Sequence, residues 1–209
     1  VRKIEAPPLE MVREKTVWSE EEVNALLSTL MERQEYEKAC YLALAVYSGR
    51  RKSELFRYKV EHFDKENLIA DGKLYFTPKI KTKGRGKEGK MLNTYVIADL
   101  FQPYLDAWLK HRSENGIESE WLFPEPSDMS KHRKASAANS WANTFTKIAK
   151  RPAYIHGFRH YSCTQLLRAG VPDSVVVEMF GWASADMLRV YDDRPASDLV
   201  EDSISKLAL

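Results

Sequence analysis

Apolar positions follow a helical period at both ends of the chain and a strand-like texture between them. Residues 1–16 are charged, contain two adjacent prolines and have no period, as expected of a linker or arm. Trp18-Ser19 then opens a helix whose apolar stripe is Val23, Leu26, Leu27 and Leu30. Ser19, with Glu22 three residues on, has the form of a capping box. Residues 36–48 are nearly all apolar, which predicts a buried central helix stopped by Gly49. A short basic helix or turn is expected at 51–57.

The pattern changes between 67 and 98. Strand-like residues at 67–70, 74–80 and 93–98 are bounded by Asp71-Gly72 and by a glycine-containing basic segment at 83–90, which predicts three antiparallel strands. Helical period returns at 99–115, where Leu100, Tyr104, Leu105, Trp108 and Leu109 are apolar and Gly116 is the stop. Further helices are predicted at 136–150, 156–169, 172–180 (opened by Pro172) and 184–191. The proline-bearing stretch 121–130 is expected to be a loop. After Pro195, Leu199, Val200, Ile204 and Leu207 share one face, with Ser197 or Asp198 as the expected cap. The fold class is therefore mainly α with a small antiparallel three-stranded sheet, an α+β arrangement.

Composition narrows the choice. The 209 residues, 44% of them hydrophobic, suffice for one large domain. No apolar run is long enough to span a membrane and no secretion signal is visible, so a cytoplasmic setting is expected. Cys40 and Cys163 lie in apolar helical patterns, as buried thiols do. There is no Cys or His spacing typical of metal ligands, no P-loop and no carboxylate cluster, so no cofactor and no metal are expected. Net charge is only +2, but the cations are grouped. Lys79, Lys81, Lys83, Arg85, Lys87 and Lys90 crowd one stretch. Lys131, His132, Arg133 and Lys134 form a second group, and Lys147, Lys150 and Arg151 a third. Cations clustered between ordered elements are the footprint of a polyanionic partner.

The chemistry concentrates in four separated segments. His156-Gly157-Phe158-Arg159-His160 places His156 and Arg159 on one helical face, and arginine is shaped to hold two phosphate oxygens. Gly181-Trp182 and then Tyr191, a possible covalent nucleophile, follow. Upstream, Ser48-Gly49-Arg50-Arg51-Lys52-Ser53-Glu54-Leu55 sets arginines just after a helix stop, and Lys81-Thr82-Lys83-Gly84 lies at a strand end.

Taken in order, these segments resemble the signatures of the tyrosine recombinase (phage integrase) family over most of residues 16–195. Ser48–Leu55 is similar to its T-G-x-R-x-S-E-L signature, His156–His160 carries its H-x-x-R-H in full, and Gly181-Trp182 with Tyr191 matches its third signature. The resemblance implies a DNA breaking-and-rejoining catalytic fold. In it Arg51 and Arg159 hold the non-bridging oxygens of the scissile phosphate, and His156 bonds the same phosphate and takes the proton of Tyr191, the nucleophile. Lys83 would be the general acid. Lys81 is the alternative, because it points the same way if the strand continues. Arg50 could stand in for Arg51, but only Arg51 has the motif's spacing to Ser53 and Glu54. Trp182, where many relatives have histidine, can donate but cannot shuttle protons. Glu54 and His160 would be supports, and Lys79, Lys81, Arg85, Lys87, Lys131, Arg133 and Lys134 would contact DNA.

The same resemblance implies a 3′-phosphotyrosyl intermediate and strand exchange through a Holliday junction. It also implies double-stranded DNA as partner, a homotetramer on two sites (with a monomer off DNA), and accessory DNA-bending proteins. Residues 17–195 would be the catalytic domain, 1–16 the link from an N-terminal DNA-clamping domain, and 196–209 a tail helix exchanged between protomers. Two other readings share many of these residues: a type IB topoisomerase, which religates the same strand, and a DNA-binding accessory protein without activity.

Overall fold

The computed structural model of the chain describes residues 17–82 and 90–205. Helix α1 spans Glu20–Glu32, and its capping box is present: Ser19 Oγ accepts from Glu22 N at 3.2 Å and Glu22 accepts from Ser19 N at 2.9 Å. Its stripe of Val23, Leu26, Leu27 and Leu30 is buried. Helix α2 (Tyr36–Ser48) is buried on nearly every side and packs against α1. A turn and a single 3-10 turn, Leu55–Arg57, follow.

Strands β1 (Leu68–Ile69), β2 (Leu74–Thr82) and β3 (Lys90–Ile97) form one antiparallel sheet in that order. The β1–β2 connection runs through Ala70, Asp71 and Gly72, all at positive φ. Tyr75 pairs with Val96 and Thr77 with Thr94, and all four are buried. The register slips between Thr77 and Ile80, around Pro78, which has no N–H to give the ladder. Of the basic stretch, 83–89 lies outside the described residues, and so do the candidate acid Lys83 and the candidate DNA contacts Arg85 and Lys87.

Helix α3 (Ala98–Glu114) also packs on α2. Its buried face is Phe101, Leu105, Trp108 and Arg112, whereas Leu100, expected on the apolar side, is exposed. The stretch expected to be a loop contains a two-stranded ribbon, β4 (Pro124–Glu125) with β5 (Asp128–His132). Its segment Asp-Met-Ser-Lys-His has no apolar alternation, and side chains outside it help hold it. Ser119 Oγ donates to Met129 O, and Trp121 Nε1 donates to Ser130 O at 3.0 Å. Arg112 also reaches the carbonyls of Ser119, Trp121 and Leu122.

Helices α4 (Ser136–Ala149), α5 (Ile155–Arg168), α6 (Asp173–Phe180), α7 (Leu188–Tyr191) and α8 (Ala196–Ser205) complete the chain. Helix α8 begins before its expected caps. Leu199 N donates to Pro195 O at 3.3 Å, while Ser197 and Asp198 already sit in the first turn. Two apolar clusters result. The larger surrounds α2, and the smaller joins Cys163, Leu167, Val176, Phe180, Trp182, Leu188 and Tyr191. Helix α5 serves both, giving Phe158 and Tyr161 to the first and Cys163 and Leu167 to the second. Side chains between these sets, such as Arg159, therefore lie at the seam. Cys40 and Cys163 are free, buried thiols. No helix among the described residues is long and apolar enough to cross a membrane.

Candidate active site

Two glycines let the seam close. Gly49 ends α2 at φ +60, and a Cβ there would fall 2.3 Å from the Phe180 ring. Gly181 ends α6 at φ +64, and a Cβ there would meet Leu92 at 2.4 Å. Only glycine combines this backbone with so close an approach. The ends of α2 and α6 thus meet, and the residues after each stop face the start of α5.

Glu54, fully buried, organises the turn after Gly49. Its Oε2 accepts from Arg51 N at 3.1 Å, and its Oε1 from Arg51 Nη1 at 3.1 Å. The Arg51 side chain is thereby aimed while 41% of it remains exposed to a ligand. Arg50 Nε lies 3.2 Å from the same carboxylate, with its side chain completely buried. Tyr41 OH donates to Lys52 O at 3.0 Å, and Lys52 Nζ reaches Asn139 of α4 at 3.1 Å.

Arg159, from α5, is buried. Its Nη1 donates to the carbonyl of Gly49 and its Nη2 to that of Phe180 at 3.1 Å, so one guanidinium ties together both helix stops. Its cation lies 4.7 Å from the Phe180 ring, 5.2 Å from Trp182 and 5.4 Å from Tyr191. Burial first, then the Arg51 charge, brings its pKa down to about 10, so it remains a cation at neutral pH.

Tyr191 ends α7 with its ring buried. Its backbone is fastened to α5: Thr164 Oγ1 donates to Tyr191 O at 3.4 Å and accepts from Asp193 N at 3.0 Å. The hydroxyl lies 3.2 Å from His156 Nε2. The His160 ring stacks on Tyr191, with centroids 4.4 Å apart, and its Nδ1 is 3.4 Å from Asp193 Oδ2. Trp182 also packs against Tyr191, with centroids 4.9 Å apart, and its buried Nε1 has no hydrogen-bond partner among the described residues. His156 is held below the usual imidazole pKa, chiefly by burial and then by the His160, Arg159 and Arg51 charges. It is thus neutral at neutral pH and able to accept a proton.

A cleft of about 340 Å³ lies beside this cluster, lined by Arg50, Arg51, His156 and Arg159 together with Tyr154 and Asn139. Three guanidiniums against one carboxylate make it a site for an anion. An imidazole beside a phenol adds the means to activate an oxygen nucleophile. No group of three or more His, Cys, Asp or Glu that could hold a metal occurs among the described residues.

The structure brings Arg51, Glu54, His156, Arg159, His160, Trp182 and Tyr191 together. The cations expected at DNA divide. Lys81 and Lys134 are exposed, as is Lys131, which pairs with Asp128 at 2.5 Å. Lys79 lies in β2. Arg133 is not free for a ligand in this way. It grips Glu37 with two hydrogen bonds, of 2.8 and 2.5 Å, and lies over Trp141. Arg151, from the third group, likewise pairs with Glu22 and stacks on Trp18.

The fold is shared with recombinases of known structure. A crystal structure of XerA recombinase superposes with a TM-score of 0.72 at 20% identity, covering 97% of this chain and 68% of that one. The XerH site-specific recombinase bound to its difH substrate gives 0.64 at 20% identity, covering 90% and 53%. Residues 16–197 match the phage integrase family, and the chain belongs to it. The SPbeta prophage-derived recombinase-like protein YomM of Bacillus subtilis (strain 168) is 31% identical over 177 residues, 79% of this chain and 49% of that protein. A tyrosine recombinase of Thermosipho africanus (strain TCF52B) is 24% identical over 176 residues, 83% and 55%. An integrase of Saccharopolyspora erythraea is 32% identical over 96 residues, 41% and 22%. The chain thus spans about half or less of the length of these curated relatives.

Proposed function

We propose that this chain is the catalytic part of a site-specific DNA recombinase with Tyr191 as nucleophile. The observation that carries this reading is the 3.2 Å approach of the Tyr191 hydroxyl to His156 Nε2 beside the Arg51–Arg159 cleft. Family membership and the DNA-bound recombinases that share the fold support it.

In this reading the scissile phosphate enters the cleft and meets Arg51 and Arg159, whose charge counts most when negative charge builds in the transition state. His156 takes the phenolic proton as the Tyr191 oxygen attacks phosphorus. The bond from phosphorus to the 5′ oxygen breaks, a 3′-phosphotyrosyl link forms, and the departing 5′ oxygen is protonated by Lys83 or Lys81. A 5′ hydroxyl from the second duplex then attacks that link and releases Tyr191. Each step exchanges one phosphate ester for another, so no external energy source is required. Trp182 Nε1 steadies a phosphate oxygen, while His160 and Glu54 hold Tyr191 and Arg51 in place. Lys79, Lys81, Arg85, Lys87, Lys131 and Lys134 contact DNA phosphates, which set affinity and its salt dependence more than sequence choice.

Assembly into a homotetramer on two duplexes, a Holliday junction intermediate, accessory DNA-bending proteins and a preceding DNA-clamping domain belong to the same proposal. So does exchange of the tail: in α8, Val200 and Ile204 are 62% and 56% exposed, an apolar face that fits a neighbouring protomer. The test is a nicked suicide duplex carrying the chain's recognition site. A covalent protein–DNA adduct is expected with the intact protein and none with Tyr191→Phe. An adduct that survives Tyr191→Phe removes the nucleophile from the account.

A further inference from the structure

Arg50 is 1% exposed, among the most buried side chains of the chain. Its sequence neighbour Arg51 carries the motif spacing and reaches solvent, so no step of the proposed reaction falls to Arg50. Yet it is not a closed structural pair. Nε meets Glu54 Oε2 at 3.2 Å, outside hydrogen-bond alignment, and Nη1 and Nη2 have no hydrogen-bond partner among the described residues. Nη1 lies against the stop of α6, 3.3 Å from where a Gly181 Cβ would stand, and Arg50 lines the same cleft as Arg51, His156 and Arg159.

A buried cation sharing its carboxylate with a second arginine is costly to the fold, since an apolar side chain of similar length would fill the space without desolvation. Glu54 is the carboxylate that meets both Arg50 and Arg51, while Arg159 is bonded to backbone carbonyls. The cluster therefore carries excess positive charge inside the protein. An arriving anion would supply the missing counter-charge, and the low local dielectric would strengthen that attraction.

We propose that Arg50 is a third cation of the phosphate site, a positioning residue. It lies buried beside the more exposed Arg51, 3.2 Å from the Glu54 carboxylate, and adds its own field to the bound phosphate. The inference rests on the phosphate-site reading but not on DNA cleavage, so it can be tested with inorganic phosphate alone. Calorimetric titration of phosphate at alkaline pH, where the dianion prevails, would compare the intact chain with Arg50→Met, Arg50→Lys and Arg51→Met. Melting in anion-free buffer would be followed in parallel.

Arg50→Met is expected to bind phosphate about tenfold more weakly, the scale of one charge-assisted interaction. It should also melt at or above the temperature of the intact chain. Arg50→Lys should restore most of the affinity. A scaffold role alone would instead lower the melting temperature, and that result overturns the proposal. Unchanged phosphate affinity in Arg50→Met, with affinity lost in Arg51→Met, overturns the role of Arg50 while leaving the cleft intact. Absence of binding to the intact chain overturns the phosphate site and this inference with it.

Discussion

At the scale of single residues, the proposed reaction puts the chemistry on His156 and Tyr191, and their surroundings set its conditions. Burial and the Arg51 and Arg159 charges lower the His156 pKa below 6.5. The sign follows: for a base with a depressed folded-state pKa, the unfolded chain takes up the proton first as pH falls. The His156 contribution to stability is therefore intact above about pH 6.5 and declines below it. With the neutral imidazole as proton acceptor, as proposed, the acid limb of adduct formation is expected below pH 6.5, and a pH–rate profile checks this. An acid limb above that value would assign the proton transfer to another group. Much at this scale was legible in the sequence. The H-x-x-R-H spacing on one helix put His156 and Arg159 on a common face, as found. Arg50 was not legible, because a charged residue in a basic turn reads as surface until the fold buries it.

At the scale of elements, the site depends on two helix stops. The residues after α2 and after α6 meet because Gly49 leaves room for the Phe180 ring. Gly49→Ala combines a strained backbone with a clash, and a loss of about 3 kcal/mol or more is expected in urea unfolding. Gly72→Ala is the control. Gly72 also has positive φ, but a Cβ there meets nothing within 4 Å, so about 1 kcal/mol is expected. Equal losses at the two positions would mean that the contact with Phe180 carries no weight. The periodic elements could be read in advance, because α1, α2 and the three-stranded sheet obey hydrophobic spacing. The β4–β5 ribbon could not, since Arg112, Ser119 and Trp121 help hold it rather than a pattern of its own. Likewise Leu100 looked apolar in period, but the turn of α3 gives the core to Phe101.

At the scale of the whole molecule, the larger core surrounds α2 and the smaller cluster carries Tyr191. Tyr191 is followed by α8, on which Val200 and Ile204 are exposed. Deleting 196–209 is expected to weaken assembly on paired DNA sites while leaving single-site binding nearly intact, as read by gel shift and sedimentation. Unchanged assembly would place the tail on its own domain. The second and third cation groups also sort at this scale. Lys131 and Lys134 remain outward, whereas Arg133 and Arg151 join distant segments through Glu37 and Glu22. Sequence clustering could not separate these roles, because the acidic partners lie far away along the chain.

The most direct measurement of the central claim is peptide mapping of the trapped protein–DNA adduct from a suicide duplex. The account expects a single phosphotyrosyl link on Tyr191, joined to a 3′ phosphate, and no adduct with Tyr191→Phe. A link on another residue, a 5′-linked adduct, or cleavage that leaves no covalent protein would contradict it.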